Sequence, residues 1–271
     1  MSSYVHLIVH VTSQTEKDLL LARLSQLNFE GFEEKENELH AFVSKQDFNE
    51  LEVKDLLDEL NVQYATSILP SQNWNALWES NFDPVTVDDL CTIRADFHPE
   101  DVRVEQEIII TPKMSFGTGH HATTYLMVQQ MRDLDFKHKS VADFGTGTGI
   151  LSILAEKLGS SSVWAIDHDD WSIENAIENI ASNHCQRINV QKAEVFSTLE
   201  KFDIILANIN KNVILDNLEG LVSGLNTGGK LLLSGLLKDD EYDILMACQG
   251  HNLLRVKTVE KDKWICILLE H

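Results

Sequence analysis

Asp143-Phe-Gly-Thr-Gly-Thr-Gly-Ile150 follows the apolar pair Val141 and Ala142 and opens an apolar-rich run to residue 158. The order predicts a strand, a tight turn of alternating glycines and a helix over 150–158. Gly145, Gly147 and Gly149 let backbone approach a nucleotide, and a helix start offers it free N–H groups. A second acid, Asp167, closes the next predicted strand, 163–167, and stands 22 residues beyond Gly145. That offset suits a βαβ unit that places a carboxylate on a ribose.

Outward from this unit, strands and helices alternate. Strands are expected at 140–144, 163–167, 188–191, 202–208 and 230–237, with helices at 150–158, 171–182, 213–225 and 239–248. The tail, 253–259 and 264–269 around Glu260-Lys-Asp-Lys263, reads as an antiparallel hairpin. This is the order of a doubly wound α/β sheet, whose ligand lies at the carboxyl ends of its strands. Upstream, short strands are expected at 90–94 and 107–111.

Residues 1–68 read as a separate small α+β domain. Val5, Leu7, Val9 and Val11 form one apolar strand face. Ser13-Gln-Thr-Glu16 is a capping box opening a helix to Leu27. A hairpin at 31–35 and 39–43, a helix at 49–60 and a strand at 62–69 complete the ferredoxin-like order β-α-β-β-α-β. Its histidines read as strand residues, and a domain of this kind is expected to recognise a partner. Residues 69–88 are a linker helix carrying Trp74, Trp78 and Phe82 at helical spacing, either a packing stripe or a hinge. Residues 89–271 form the larger domain.

The 271 residues carry 43 acids against 22 bases, a net charge of −21. Such a surface repels phosphate backbones, so free nucleic acid is not the expected partner. It steers a basic protein inward or serves solubility alone. Cys91, Cys185, Cys248 and Cys266 are scattered without a C-x-x-C pair, as in reduced cytosolic proteins without a zinc site. No apolar run reaches the ~18 residues of a membrane span. A cytoplasmic, monomeric protein is expected.

Further segments should meet at the strand ends. Phe116-Gly-Thr-Gly-His-His-Ala-Thr-Thr124 precedes a helix expected at 123–134. Its hydroxyls and free N–H groups suit a carboxylate, and Thr123 or Thr124 is expected to cap the helix. His120 and His121 lack a third ligand at metal spacing, so no metal is expected. Asn208 closes its strand and either points its amide at a substrate amine or caps the next turn.

Glycine spacing chooses among cofactors. A dinucleotide fingerprint is G-x-G-x-x-G, whereas here Gly145-x-Gly147-x-Gly149 follows Asp143 by two residues. The pattern resembles motif I of class I methyltransferases, which bind S-adenosyl-L-methionine. With Trp74-x-x-x-Trp78, the 116–124 signature, Ile166-Asp167, Ala207-Asn208-Ile209 and Gly228-Gly229, the chain resembles, nearly end to end, the bacterial methyltransferases of large-subunit ribosomal protein eleven. By position, Thr124, Gly145, Asp167 and Asn208 match that family's cofactor contacts. Thr123, Phe116, Gly117, Thr118, Gly119, Asp143 and Gly147 complete the expected cofactor site. The family has Thr-His-Pro-Thr-Thr where this chain has His120-His-Ala-Thr-Thr124, which removes a rigid proline. The amino-terminal domain matches in pattern more than in residues.

The resemblance implies methylation of lysine side chains and the amino-terminal amine of the ribosomal protein, free before ribosome assembly. Asn208 orients the amine. The rivals are a methyltransferase of the same fold acting on another protein or a small amine, a non-catalytic cofactor-binding regulator, and a nicotinamide oxidoreductase.

Overall fold

The computed structural model describes residues 4–11, 13–25, 27–29, 31–35, 37–45, 47–60, 62–69, 83–111 and 119–271. The chain divides into two units, Met1–Ser80 and Asn81–His271.

The first unit runs β1 (Tyr4–His10), α1 (Gln14–Ser25), β2 (Gly31–Lys35), β3 (Glu38–Ser44), α2 (Glu50–Glu59) and β4 (Tyr64–Leu69). Its sheet has the order β2-β3-β1-β4, and every neighbouring pair is antiparallel. This is the split β-α-β arrangement anticipated above. Val5, Leu7 and Val9 pair with Val43, Ala41 and Leu39, and all six are buried against Leu20, Leu24 and Leu57 of the helices. The alternate positions face the other way. There His6 Nε2 lies 3.0 Å from His40 Nδ1, and His40 Nε2 lies 2.9 Å from Glu38. The His6 ring stacks on Phe42, so these histidines are strand residues satisfied by their neighbours. Glu16 N donates to Ser13 Oγ, the half of the capping box that starts α1. The helix stops at Ser25, short of Leu27, and Asn28 turns the chain at φ 64°.

The second unit opens with three short strands, β5 (Val85–Val87), β6 (Cys91–Arg94) and β7 (Gln106–Ile109). β5 is antiparallel and β7 parallel to β6. Residues 85–87 therefore leave the linker helix assigned from sequence. Val87 alternates inward to full burial beside Cys91, a strand period within a segment read as helical. Trp74, Trp78 and Phe82 lie outside the described residues.

The main sheet follows through α3 (Ala122–Met131), β8 (Ser140–Phe144), α4 (Ile150–Lys157), β9 (Ser162–Asp167), α5 (Asp170–Ser182), β10 (Ile188–Lys192) and β11 (Phe202–Asn208). It ends with α6 (Lys211–Ser223), β12 (Leu225–Leu237), α7 (Glu241–Gln249), β13 (Leu254–Lys261) and β14 (Trp264–Glu270). The seven strands take the order β10-β9-β8-β11-β12-β14-β13. The first five are parallel and the terminal hairpin is antiparallel. Asp262 and Lys263, at φ 51° and 71°, form the two-residue hairpin turn that matches strand twist. Both faces of the central strands are buried, as parallel strands require. Val141 and Leu206 pack with Leu126 and Ile153, whereas Ala142 and Ile205 pack with Ile214 and Leu218. From β8 the chain winds outward through β9 and β10, then returns to β11 on the other side of β8. The gap between β8 and β11 is thus the switch point where such sheets bind ligands. Among the described residues, no helix is long and apolar enough to cross a membrane.

Several ends differ from the expected ones. α6 starts at Lys211 because the Asn210 side chain accepts from Val213 N. β12 starts at Leu225, which pairs with Phe202 before a register shift. α3 stops at Met131, short of residue 134, and α7 starts at Glu241, past residue 239. A cap sets the start of α6 and a strand partner the start of β12, and neither is visible in hydrophobic period.

Candidate active site

The glycine turn leaves β8 with Gly145, Gly147 and Gly149 all at positive φ, 77°, 55° and 81°. Gly145 has no room for a side chain, since a Cβ there would stand 2.3 Å from Ile209 Cγ2. The N–H groups of Gly145 and Thr146 both donate to Ile166 O of β9, at 2.8 and 2.9 Å. Gly147 N donates to Asp167 Oδ2 at 2.9 Å. Asp167 Oδ1 accepts from Asp169 N at 3.1 Å, and Asp169 in turn caps α5 through Ser172 N. The strand-end carboxylate thus braces the glycine turn from the side.

Asp143 is wholly buried on the β8 face that carries Val141. Its Oδ2 accepts from Thr146 Oγ1 and Ser152 Oγ, each at 2.7 Å. Burial pushes its pKa up to about 6, against the pull of the Ser152 and Thr146 hydrogen bonds, and the negative charge of Asp167 pushes the same way. The other oxygen, Oδ1, is buried without a partner.

Separated from β8 by two strands in sequence but adjacent to it in the sheet, β11 ends on Asn208. Its Nδ2 donates to Thr124 Oγ1 at 3.3 Å, joining residues 84 positions apart. This leaves Asn208 Oδ1 buried and unpartnered as well. Asp143 pairs in register with Leu206, and side chains two apart along a strand share a face. Asp143 and Asn208 therefore lie on the same face at the carboxyl rim, each with an empty acceptor. Two buried acceptors without partners at one rim suit a ligand that brings N–H donors.

Thr123 and Thr124 are buried within the first turn of α3 and do not cap it, contrary to expectation. The cap is His121, whose Nδ1 lies 2.8 Å from Thr123 Oγ1 and 3.4 Å from Thr123 N. An imidazole nitrogen supplied the acceptor normally expected of a hydroxyl. Gly119 turns at φ 91° just before it. Phe116, Gly117 and Thr118 lie outside the described residues. Among the described residues, no group of His, Cys, Asp and Glu side chains is arranged to hold a metal ion.

On the other side of the glycine turn a cleft of about 170 Å³ is lined by Phe144, Gly145, Asp167, His168, Glu194 and Val213. Sequence reading missed His168, Glu194 and Val213. Their signal was position alone, for they follow the ends of β9, β10 and β11. A larger cleft, about 320 Å³, lies in the first unit and carries none of these groups.

A model of the family described as Ribosomal protein L11 methyltransferase (PrmA) matches residues 8–271. The chain belongs to this family. A ribosomal protein L11 methyltransferase of Porphyromonas gingivalis is 41% identical over 265 residues, covering 95% of this chain and 91% of its own. One from Chlorobaculum tepidum is 39% identical over 266 residues, covering 93% and 92%. The crystal structure of the ribosomal protein L11 methylase from Lactobacillus delbrueckii subsp. bulgaricus aligns with a TM-score of 0.65 at 30% identity, covering 69% of this chain and 98% of that one. The family inferred from the 116–124 signature and the glycine turn is the family found, and the chain is an enzyme of the methyltransferase class.

Proposed function

We propose that this enzyme uses S-adenosyl-L-methionine to methylate amines of ribosomal protein L11, the lysine side chains and the amino-terminal amine. The observation that carries the reading is the pair of unpartnered buried acceptors, Asp143 Oδ1 and Asn208 Oδ1, on one face of the switch point. Asp143 Oδ1 fits the cofactor, whose amino-acid portion brings an ammonium to such an acceptor, while Asn208 Oδ1 fits the substrate amine. The glycine cradle at Gly145 and the carboxylate of Asp167 fit its nucleoside. When bound, the cofactor supplies an electrophilic methyl group on a sulfonium, which leaves as a neutral sulfide without acid assistance.

The chain's own residues do the rest. Gly145, Gly147, Asp143, Asp167, Thr123, Thr124 and residues 116–119 hold the cofactor. Asn208 Oδ1 accepts a hydrogen bond from an amine N–H and orients its lone pair. Asn208 Nδ2 donates to Thr124 Oγ1, which leaves the oxygen free to accept. A lysine ammonium, with an ordinary pKa near 10.4, must lose its proton before attack, and desolvation in a closed site favours that loss. No dedicated strong base is required.

The first unit recognises the ribosomal protein, and the acidic chain steers this basic partner in its free form before ribosome assembly. The enzyme acts as a cytoplasmic monomer. Incubation with methyl-labelled S-adenosylmethionine and total ribosomal protein should label one band, identified by mass as L11. Label on another protein would redirect the substrate. Cofactor binding without any labelled product would make the protein a binding regulator.

A further inference from the structure

α5 carries asparagines at i, i+4 and i+8, namely Asn175, Asn179 and, at its carboxyl cap, Asn183. Asn175 and Asn179 are wholly buried. Outside its own helix, Asn183 meets β7: Oδ1 accepts from Ile109 N at 3.0 Å, and Nδ2 donates to Ile109 O at 2.6 Å. Asn179 reaches two different elements. Its Oδ1 accepts from Thr111 N at 2.8 Å, and its Nδ2 donates to Thr148 O at 2.9 Å, inside the glycine turn. Four helical residues rise about 6.0 Å and two strand residues about 6.6 Å, so successive rungs stay in step with residues 109 and 111.

The network fixes every amide. Thr111 N can only donate and Thr148 O can only accept, so the Asn179 side chain has one assignment. Its Nδ2 also donates to Asn175 Oδ1 at 3.2 Å, which turns Asn175 Nδ2 away, buried and unpartnered. A ladder that only glued helix to strand would be complete with the contacts to Ile109 and Thr111. Its reach to Thr148 needs another reason. Alternating left-handed glycines have little steric definition of their own. Asp167 grips the turn at Gly147 N, and Asn179 grips it one residue later at Thr148 O.

We propose that Asn179 is a positioning residue for the glycine turn, setting Thr148 against Thr111 so that the cofactor's bed keeps its shape. The effect on cofactor affinity rests on the function proposed above. Asn179→Asp keeps the acceptor for Thr111 N but sets a carboxylate oxygen against the Thr148 carbonyl. Asn183→Ala removes a rung that never touches the turn. Calorimetry should show S-adenosylmethionine and S-adenosylhomocysteine binding Asn179→Asp about tenfold more weakly, the loss expected for a misplaced hydrogen-bonding bed. Asn183→Ala should bind both as the wild type does, although its Tm falls. Without ligand, the Gly147 and Gly149 amides should exchange hydrogen faster in Asn179→Asp than in Asn183→Ala. Unchanged affinity in Asn179→Asp, or equal affinity loss in both variants, overturns the positioning role. If Asn179→Asp does not fold, Asn179→Ser, too short to span both partners, gives the same comparison. Wild-type protein that binds neither ligand refutes the proposed function instead, and the exchange rates then decide the role of Asn179: equal rates in the two variants overturn it.

Discussion

At the scale of single residues the proposed site rests on Asp143, Asp167 and Asn208. Asp143 has its pKa raised to about 6 by burial, so its protonated form is favoured by folding. The sign follows. This contribution is fully present below the ordinary carboxylate pKa and is lost as pH rises through about 6. Relative to Asp143→Asn, the wild type should therefore lose about 2 kcal/mol of stability between pH 4 and pH 7, most of a shift of about two units at 1.36 kcal/mol each. Urea denaturation at both pH values measures it, and a difference that does not change with pH would refute the burial argument. Asp167→Ala removes both the brace on Gly147 N and the proposed ribose partner. Calorimetry should show at least about a tenfold loss of cofactor affinity, since a charge-assisted hydrogen bond contributes about 1.5–3 kcal/mol. Asn208→Ala should spare affinity more and lower turnover, because its free oxygen is assigned to the amine. Turnover equal to wild type would remove that role. Asp143, Asp167 and Asn208 were all legible as strand-end polar residues. That His121, and not Thr123 or Thr124, caps α3 was not legible, because a histidine carries no routine capping signal.

At the scale of elements, β12 shows how one strand positions another's side chain. Its pairing with β14 shifts between Leu233 and Leu236, and Gly235 sits there at φ 84°. A Cβ on Gly235 would stand 2.2 Å from Ile209 O and 2.9 Å from Ile209 N, backbone that cannot rotate away. Gly145 meets the same residue from β8. The two glycines thus enclose Ile209 and fix Asn208 beside it. Gly235→Ala should cost at least about 1–3 kcal/mol of stability, from left-handed strain and the clash. It should also lower kcat more than cofactor affinity, because the displaced segment carries Asn208. A folded variant with unchanged kcat would separate the bulge from the site. The parallel strands and the helices between them were legible because their periods differ. The ends of α3, α6, α7 and β12 were not, since an Asn210 cap and a Phe202 partner decide two of them from outside the local pattern.

At the scale of the whole molecule each unit has a core of its own, one around Leu7, Leu20 and Leu57, the others on the two faces of the large sheet. A chain beginning at Ser71 should fold and bind S-adenosylmethionine yet methylate the full ribosomal protein poorly. The loss should fall mainly on KM at low salt, because remote binding energy has been removed. Unchanged kcat/KM would show that the first unit is not the recognition module. The sequence by itself determined the fold class, the β-α-β-β-α-β order of the first unit and the turn at Gly145, since period, glycine and strand-end acid are local properties. It also carried the family, through Phe116-Gly-Thr-Gly and Thr123-Thr124. Only tertiary structure decided that Thr124 meets Asn208, that Asn179 reaches Thr148, and that Oδ1 of Asp143 and of Asn208 is left without a partner. Those facts depend on which groups the packed neighbours satisfy, and satisfaction is settled by contacts between residues far apart in the chain.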